Sequence, residues 1–285
     1  AGAFYAWNET SGLWDATPIV TATTPLVSGK GYTLVGGSTG SATVSFTGSI
    51  TLSASQPGTA PYIEAGTYNN DRGTWGGGAW NLLGNPFTAA LDVQEFIAVN
   101  GSTGNNSLDP NYNAVYIYNG STYSYIGNEI GFSNASGSFG HDNIQAGQGF
   151  FVAASHNDVT FSFTGNMQTH DVTIPMTKSA GREESWPGIQ LKARTGNTEN
   201  STLVVFNDDM TKGLDPGYDI GAFGSGSDIE LFTLLNQDNG VNFIRQALPY
   251  PVKDTMTVAV GVDAGKGGTV TFSAYTVPIE GYNYF

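Results

Sequence analysis

Apolar and polar side chains alternate with a period of two along much of this chain. Thr43-Val44-Ser45-Phe46-Thr47, Val159-Thr160-Phe161-Ser162-Phe163, Thr255-Met256-Thr257-Val258-Ala259-Val260 and Thr269-Val270-Thr271-Phe272-Ser273 each turn one face inward and one outward, as half-buried strands do. Turn-forming clusters separate such runs: Asn69-Asn70-Asp71, Asn119-Gly120, Asp238-Asn239-Gly240 and Lys266-Gly267-Gly268. The one short stretch that suits a helix is Leu91-Asp92-Val93-Gln94-Glu95-Phe96-Ile97, which follows Asn85-Pro86-Phe87-Thr88, with Thr88 the expected cap. The pattern predicts an all-β fold.

A partial internal repeat runs through the first two thirds of the chain. Phe4-Tyr5-Ala6-Trp7-Asn8 resembles Val115-Tyr116-Ile117-Tyr118-Asn119, and Gly29-Lys30-Gly31-Tyr32-Thr33-Leu34-Val35 resembles Gly147-Gln148-Gly149-Phe150-Phe151-Val152-Ala153. Val44-Ser45-Phe46-Thr47-Gly48 resembles Phe161-Ser162-Phe163-Thr164-Gly165. The order is conserved between the copies: aromatic strand, Gly-x-Gly-aromatic turn, Ser-Phe-Thr-Gly strand. The first copy lacks the lead-in of the second, which predicts a truncated unit and a chain that is part of something longer. Beyond Thr177 the texture changes. Lys178 to Pro187 is polar and reads as a linker, and Ile189–Arg194, Ser201–Phe206 and Ile229–Leu234 then read as strands. Together with the last two alternating runs they suit a sandwich of about 100 residues. The predicted organisation is tandem β-sandwich (jelly-roll or immunoglobulin-like) modules: a partial unit over 1–58, a second over 59–177 holding the Trp80-Asn81-Leu82-Leu83-Gly84-Asn85-Pro86 and Gly147-Gln148-Gly149-Phe150-Phe151 motifs, and a C-terminal sandwich over 178–285.

Composition narrows the function. Charged residues make up 12% of the 285 residues, about half the usual ~25%. The net charge is -14, from 24 acidic and 10 basic residues. Such a surface repels phosphate backbones, which argues against nucleic-acid partners, and it attracts divalent cations. There is no cysteine, so disulfides and thiolate metal sites are excluded; a cysteine-free chain suits folding after export without oxidative help. No apolar run approaches the ~18 residues of a membrane span. A strand-rich, turn-rich and charge-poor chain suits a large protein of the cell surface.

Four segments carry a family resemblance. Trp80-Asn81-Leu82-Leu83-Gly84-Asn85-Pro86-Phe87 is followed by Ala90-Leu91-Asp92; then come Ala114-Val115-Tyr116-Ile117-Tyr118-Asn119 and Ile144-Gln145-Ala146-Gly147-Gln148-Gly149-Phe150-Phe151-Val152. The fourth is Leu203-Val204-Val205-Phe206-Asn207-Asp208 with Thr211, Gly213, Asp215 and Gly217-Tyr218-Asp219. In this order they resemble secreted and surface proteins of the Bacteroidetes exported by the type IX route. The resemblance implies β-sandwich modules of the kind that precede a C-terminal sorting domain, with the type IX export machinery as partner of the parent protein. It implies address and architecture, and little about activity.

Candidate chemistry is sparse. Asn207, Asp208, Asp209, Asp215 and Asp219 gather hard oxygen donors, with Gly213 and Gly217 permitting tight turns. Calcium takes 6–8 oxygens from loops of this type, although Asx-turns alone would also explain the composition; Asp109, Asn111 and Asn113 form a weaker second set. The three histidines, His141, His156 and His170, fall in no Gly-x-Ser-x-Gly or His-Glu-x-x-His context. Glu183-Glu184 are sequence neighbours in a linker and lack the facing geometry of a glycosidase pair. No catalytic residue is assigned, and the chain is read as not an enzyme. Trp75, beside Gly76-Gly77-Gly78, is the candidate for stacking on a sugar ring, whereas Trp7, Trp14 and Trp80 read as core. Asp254-Thr255-Met256 resembles the Asp-Ser/Thr-aliphatic O-glycosylation site of Bacteroidetes, at Thr255. The function expected is a non-catalytic structural or adhesive module, able to self-associate by strand addition; the alternative is a carbohydrate-binding accessory region of a polysaccharide-degrading enzyme, with a surface glycan as its partner.

Overall fold

A computed structural model describes residues 3–9, 12–16, 26–35, 80–118, 123–130, 143–156, 159–169, 186–224, 228–237, 239–250, 256–265 and 267–277. Among them, short strands far outnumber the single α-helix, Val93–Asn100, and the fold class is all-β. The expected strand at Thr43–Thr47, the linker from Lys178 and the Asn69 and Asn119 turns lie outside the described residues or largely so. The chain forms two compact units that interleave in sequence. One holds 1–71, 77–109 and 141–173; the other holds 72–76, 110–140 and 174–285. The expected organisation was consecutive segments, and here residues 110–140 group with the C-terminal third.

In the first unit the Trp80–Gly84 strand is the hub. On one side it pairs antiparallel with Gly149–Ala153, Trp80 opposite Ala153 and Gly84 opposite Gly149. On the other, Gly31 N–H donates to Leu82 O and Gly84 N–H to Gly29 O, both at 2.8 Å. The two Gly-x-Gly segments adopt the same turn, closed by Lys30 N–H to Val27 O at 3.2 Å and by Gln148 N–H to Gln145 O at 3.0 Å. Gly29 at φ 77° and Gly147 at φ 75° both sit in the left-handed region, where a side chain is strained. Closeness requires glycine too: a Cβ on Gly31 would lie 2.5 Å from Leu82 Cγ and 2.6 Å from Leu83 O.

Aromatic rings seal this hub. Trp7 Nε1–H donates to Trp80 O at 2.7 Å, and its ring stands edge-on to Phe151 at 5.0 Å. Trp7 and Trp80 are core residues, as expected. Trp14 is not: it remains 40% exposed, because its two-residue strand, Leu13–Trp14, pairs only at the Trp7–Asn8 end of Ala3–Asn8 and its ring meets Trp7 from the rim.

The helix and its flanks show how side chains substitute for a sheet. Its cap is Asp92, whose carboxylate accepts from Gln94 N–H and Glu95 N–H, and not Thr88; the Ala90–Asp92 strand carries the chain past Thr88 first. Asn85 fixes the preceding turn, donating to Ala89 O and Ile144 O and accepting from Phe87 N–H. The Val159–Phe163 run alternates in burial as predicted, with Val159, Phe161 and Phe163 inside, yet it forms no strand. Its backbone partners are side chains: Asn100 accepts from Ser162 N–H and donates to Ser162 O, and Ser107 donates to Thr160 O. An amide presents the same donor and acceptor as a strand peptide, so an extended segment needs no neighbouring strand there.

The second unit is built on one curled sheet in the order Ala259–Asp263, Glu230–Leu234, Phe243–Leu248, Thr198–Phe206, Gly188–Thr195, Thr271–Val277, with Ile220–Gly221 also pairing Phe243–Leu248. Only Thr198–Phe206 and Phe243–Leu248 run parallel. One face carries Leu203, Val205 and Ala247, packed with Ile130; the other carries Val204, Phe206 and Leu248. Glu230–Leu234 bends back over this second face, placing Leu231 against Ala193 and its N–H on Asn200 Oδ1 at 3.0 Å. An antiparallel hairpin joins Val115–Tyr118 to Tyr123–Ile126.

Gly31→Ala is expected to destabilise the chain by roughly 1–3 kcal/mol, the cost of overpacking. Gly213→Ala, whose nearest atom would be 3.6 Å away, is expected to be close to neutral. Urea unfolding of both variants checks the contrast.

Candidate functional site

The motif loop that leaves Phe206 returns to the sheet at Ile220, and its polar side chains are engaged in holding its own backbone. Asn207 Oδ1 accepts from Asp209 N–H at 2.9 Å, closing an Asx-turn. Asp215 Oδ2 accepts from Thr211 N–H at 2.7 Å and from the Thr211 hydroxyl at 3.1 Å. Asp219 is fully buried. Its Oδ2 accepts from Asp215 N–H at 2.6 Å and its Oδ1 from Ala247 N–H at 2.7 Å, so one carboxylate ties the loop to the sheet.

Arg245 completes the latch from below. Its Nε donates to Tyr218 O at 2.8 Å and its Nη2 to Gly217 O, while its guanidinium lies 5.7 Å from the Tyr125 ring centroid, within cation–π range. Gly217 takes φ 85°, and an added Cβ would lie 2.7 Å from Asn128 Nδ2. Tyr218 stacks on Trp186 at 5.3 Å with planes 15° apart. Sequence reasoning missed Arg245 and Tyr125 altogether. The only signal was a lone charged residue in the strand Phe243-Ile244-Arg245-Gln246-Ala247-Leu248, a position that demands a buried partner.

Burial pushes the Asp219 carboxyl up to about 7; the N–H groups of Asp215 and Ala247 and the Arg245 charge oppose this, and the Asp215 charge adds to it. Burial likewise pushes the Tyr125 phenol up and lowers the Arg245 guanidinium from its usual value.

The calcium expectation can be set against this geometry. Among the described residues no three of His, Cys, Asp and Glu gather closely enough to hold a metal ion. Asn207, Asp215 and Asp219 point their oxygens at backbone amides of the loop and sheet, while Asp208 and Asp209 are exposed. In the second set, Asn111 Oδ1 accepts from Asn239 Nδ2 at 2.8 Å, and Asp109 is buried.

Elsewhere, His156 is the one described histidine. Its Nδ1 is 2.7 Å from Ser155 Oγ, but that hydroxyl donates to Asn106 O, so the ring meets it as a donor and not as a base. His141, His170, Trp75 and Thr255 lie outside the described residues. An aromatic patch that sequence reasoning did not single out lies on the hairpin and the segment after Gly221. Tyr118 is 56% exposed and contacts Tyr123 at 5.3 Å, and Tyr123 packs on Phe223 at 4.3 Å.

The family model described as Domain of unknown function (DUF8693) matches residues 1–280, and the chain belongs to that family. No curated protein and no solved structure matches it.

Two outcomes follow for the latch. Asp219 has a folded-state value above its ordinary 3.8, so the protonated form favours the fold. That contribution is full below the ordinary value and is lost as pH rises through about 7, and a shift of this size is worth on the order of 4 kcal/mol. Asp219→Asn is therefore expected to flatten the fall in stability between pH 4 and 7 relative to the parent chain, in urea unfolding across that range. Arg245→Met removes the guanidinium donors to the Tyr218 and Gly217 carbonyls, of which Gly217 O keeps the Asn128 N–H at 2.9 Å, and is expected to cost about 2 kcal/mol.

Proposed function

We propose that this member of the DUF8693 family is a non-catalytic structural module of a large secreted bacterial cell-surface protein, exported by the type IX route. The observation that carries the reading is the use of the motif residues. The polar groups a catalytic or ligand-binding role would require are engaged in architecture: Asn85 in a turn, Asn100 in replacing a strand, and Asp215, Asp219 and Arg245 in a loop latch. The segments Trp80–Phe87, Ile144–Val152 and Leu203–Asp219, which resemble secreted Bacteroidetes proteins, are the ones spent in this way. In this reading tandem β-sandwich modules space or display a neighbouring domain. A chain without cysteine is tied to no redox compartment and can fold after export without oxidative help.

A second reading is carbohydrate binding, and one observation favours it. The exposed Tyr118 ring, backed by Tyr123 and Phe223, is the kind of aromatic surface on which a sugar face stacks.

One experiment separates the two. The full chain is passed over immobilised plant and microbial polysaccharides and a glycan array, with Tyr118→Ala alongside. The structural reading predicts no retention of either protein and no release of reducing sugar from any polymer. Retention abolished by Tyr118→Ala would establish the carbohydrate reading, and turnover of a polymer would overturn both.

A further inference from the structure

The curled sheet of the second unit ends in two edges that expose residues of its inner face. Antiparallel partners directly opposite one another share a face. Val262 lies opposite Leu231 and Val260 opposite Thr233, and Leu231 and Thr233 are buried. Val260 and Val262 thus point to the core side, yet they are 45% and 44% exposed. At the other edge Phe272 lies opposite the buried Ala193, which packs with Leu231 in one cluster; Phe272 is 58% exposed. Inward-facing apolar residues open to solvent mark both rims of the sheet. Among the described residues, no strand pairs with the outer side of Ala259–Asp263 or of Thr271–Ala274. Neither stretch carries the lysine or proline that blunts exposed edges.

Charge indicates what fits there. On the face opposite Leu231, the Ala259–Asp263 edge carries Asp263, directly across from Glu230. The corresponding face behind the other edge carries Lys192 across from Ser273 and Arg194 across from Thr271. Glu199 also lies on that face and pairs with Lys192 at 3.1 Å, which leaves that rim with one excess positive charge. Joining like edges would bring carboxylates to carboxylates, or cations to cations. Joining unlike edges does neither: Val260 and Val262 continue into Phe272 on the apolar face, and Asp263 and Glu230 share the outer face with Lys192 and Arg194.

We propose that a second copy of this chain docks its Ala259–Asp263 edge on the Thr271–Ala274 edge of the first, extending the sheet head to tail. The contact is heterologous, so each docked copy leaves one edge free and the assembly is open-ended unless its rotation closes a ring. This deepens the structural-module reading and rests on it: the module would assemble by strand addition.

The test is sedimentation velocity on the full chain at concentrations up to about 1 mM, with two edge-blocked variants, Val262→Lys and Phe272→Lys. Both positions are exposed, and unchanged thermal unfolding of each variant establishes that it folds. The parent chain is expected to form a concentration-dependent series of multimers, and each variant alone is expected to remain monomeric. An equimolar mixture is expected to give a dimer and nothing larger, because the intact edge of one variant accepts the intact edge of the other. A parent chain that is monomeric throughout, a single variant that still dimerises, or a mixture that stays monomeric overturns the proposal. Glycan retention or polymer turnover by a monomer would instead remove the structural-module reading, so the two failures are told apart.

Discussion

A buried backbone N–H or carbonyl without a partner costs about as much as a lost hydrogen bond, and this constraint governs the described structure. A fold made of short strands and long connections has many such groups away from any ladder. The chain meets the need with a few buried polar side chains placed where no strand can reach. Asp219 accepts two amides from different segments, Arg245 donates to two consecutive carbonyls, and Asn100 stands in for a strand peptide. Asp219 and Arg245 hold a loop outside any strand, and Asn100 holds an extended run whose apolar side chains are buried.

Seen this way, composition and chemistry agree. With few charges in the chain, the buried Asp219 and Arg245 are a large expense, and their geometry shows what they hold. The sharpest acidic signal in the sequence, Asn207 to Asp219, is a loop tied down by Asx and carboxylate bonds. The aromatic content follows the same logic. Trp7 covers the Trp80–Gly84 hub with its ring and satisfies a carbonyl with its indole N–H.

Fold class was legible in the sequence because alternation reports burial directly. The strands Gly188–Thr195, Thr198–Phe206 and Glu230–Leu234 fall where the pattern placed them. Alternation does not report what the backbone bonds to, which is why Val159–Phe163 reads as a strand while its partners are Asn100 and Ser107. The helix cap was displaced from Thr88 to Asp92 because a short strand intervenes, and pairing across the chain has no local signature. Trp14 read as core because its strand-turn-strand context looks like that of Trp7; only the shortness of its pairing leaves it at the rim. In the candidate site the acceptors were visible as a cluster of Asp and Asn. Their donors were not, since backbone amides have no letter in a sequence and Arg245 is remote from the motif it holds.

The central claim, that the motif carboxylate is occupied by the protein's own backbone, is tested most directly by native-state hydrogen exchange at the Asp215 amide. That N–H lies in a loop, outside any strand, and its partner is Asp219 Oδ2 at 2.6 Å. The account predicts protection approaching that of the sheet amides, with exchange only through opening of the whole unit. Exchange at the rate of an open loop would contradict it and would return Asp219 to the groups free for a ligand.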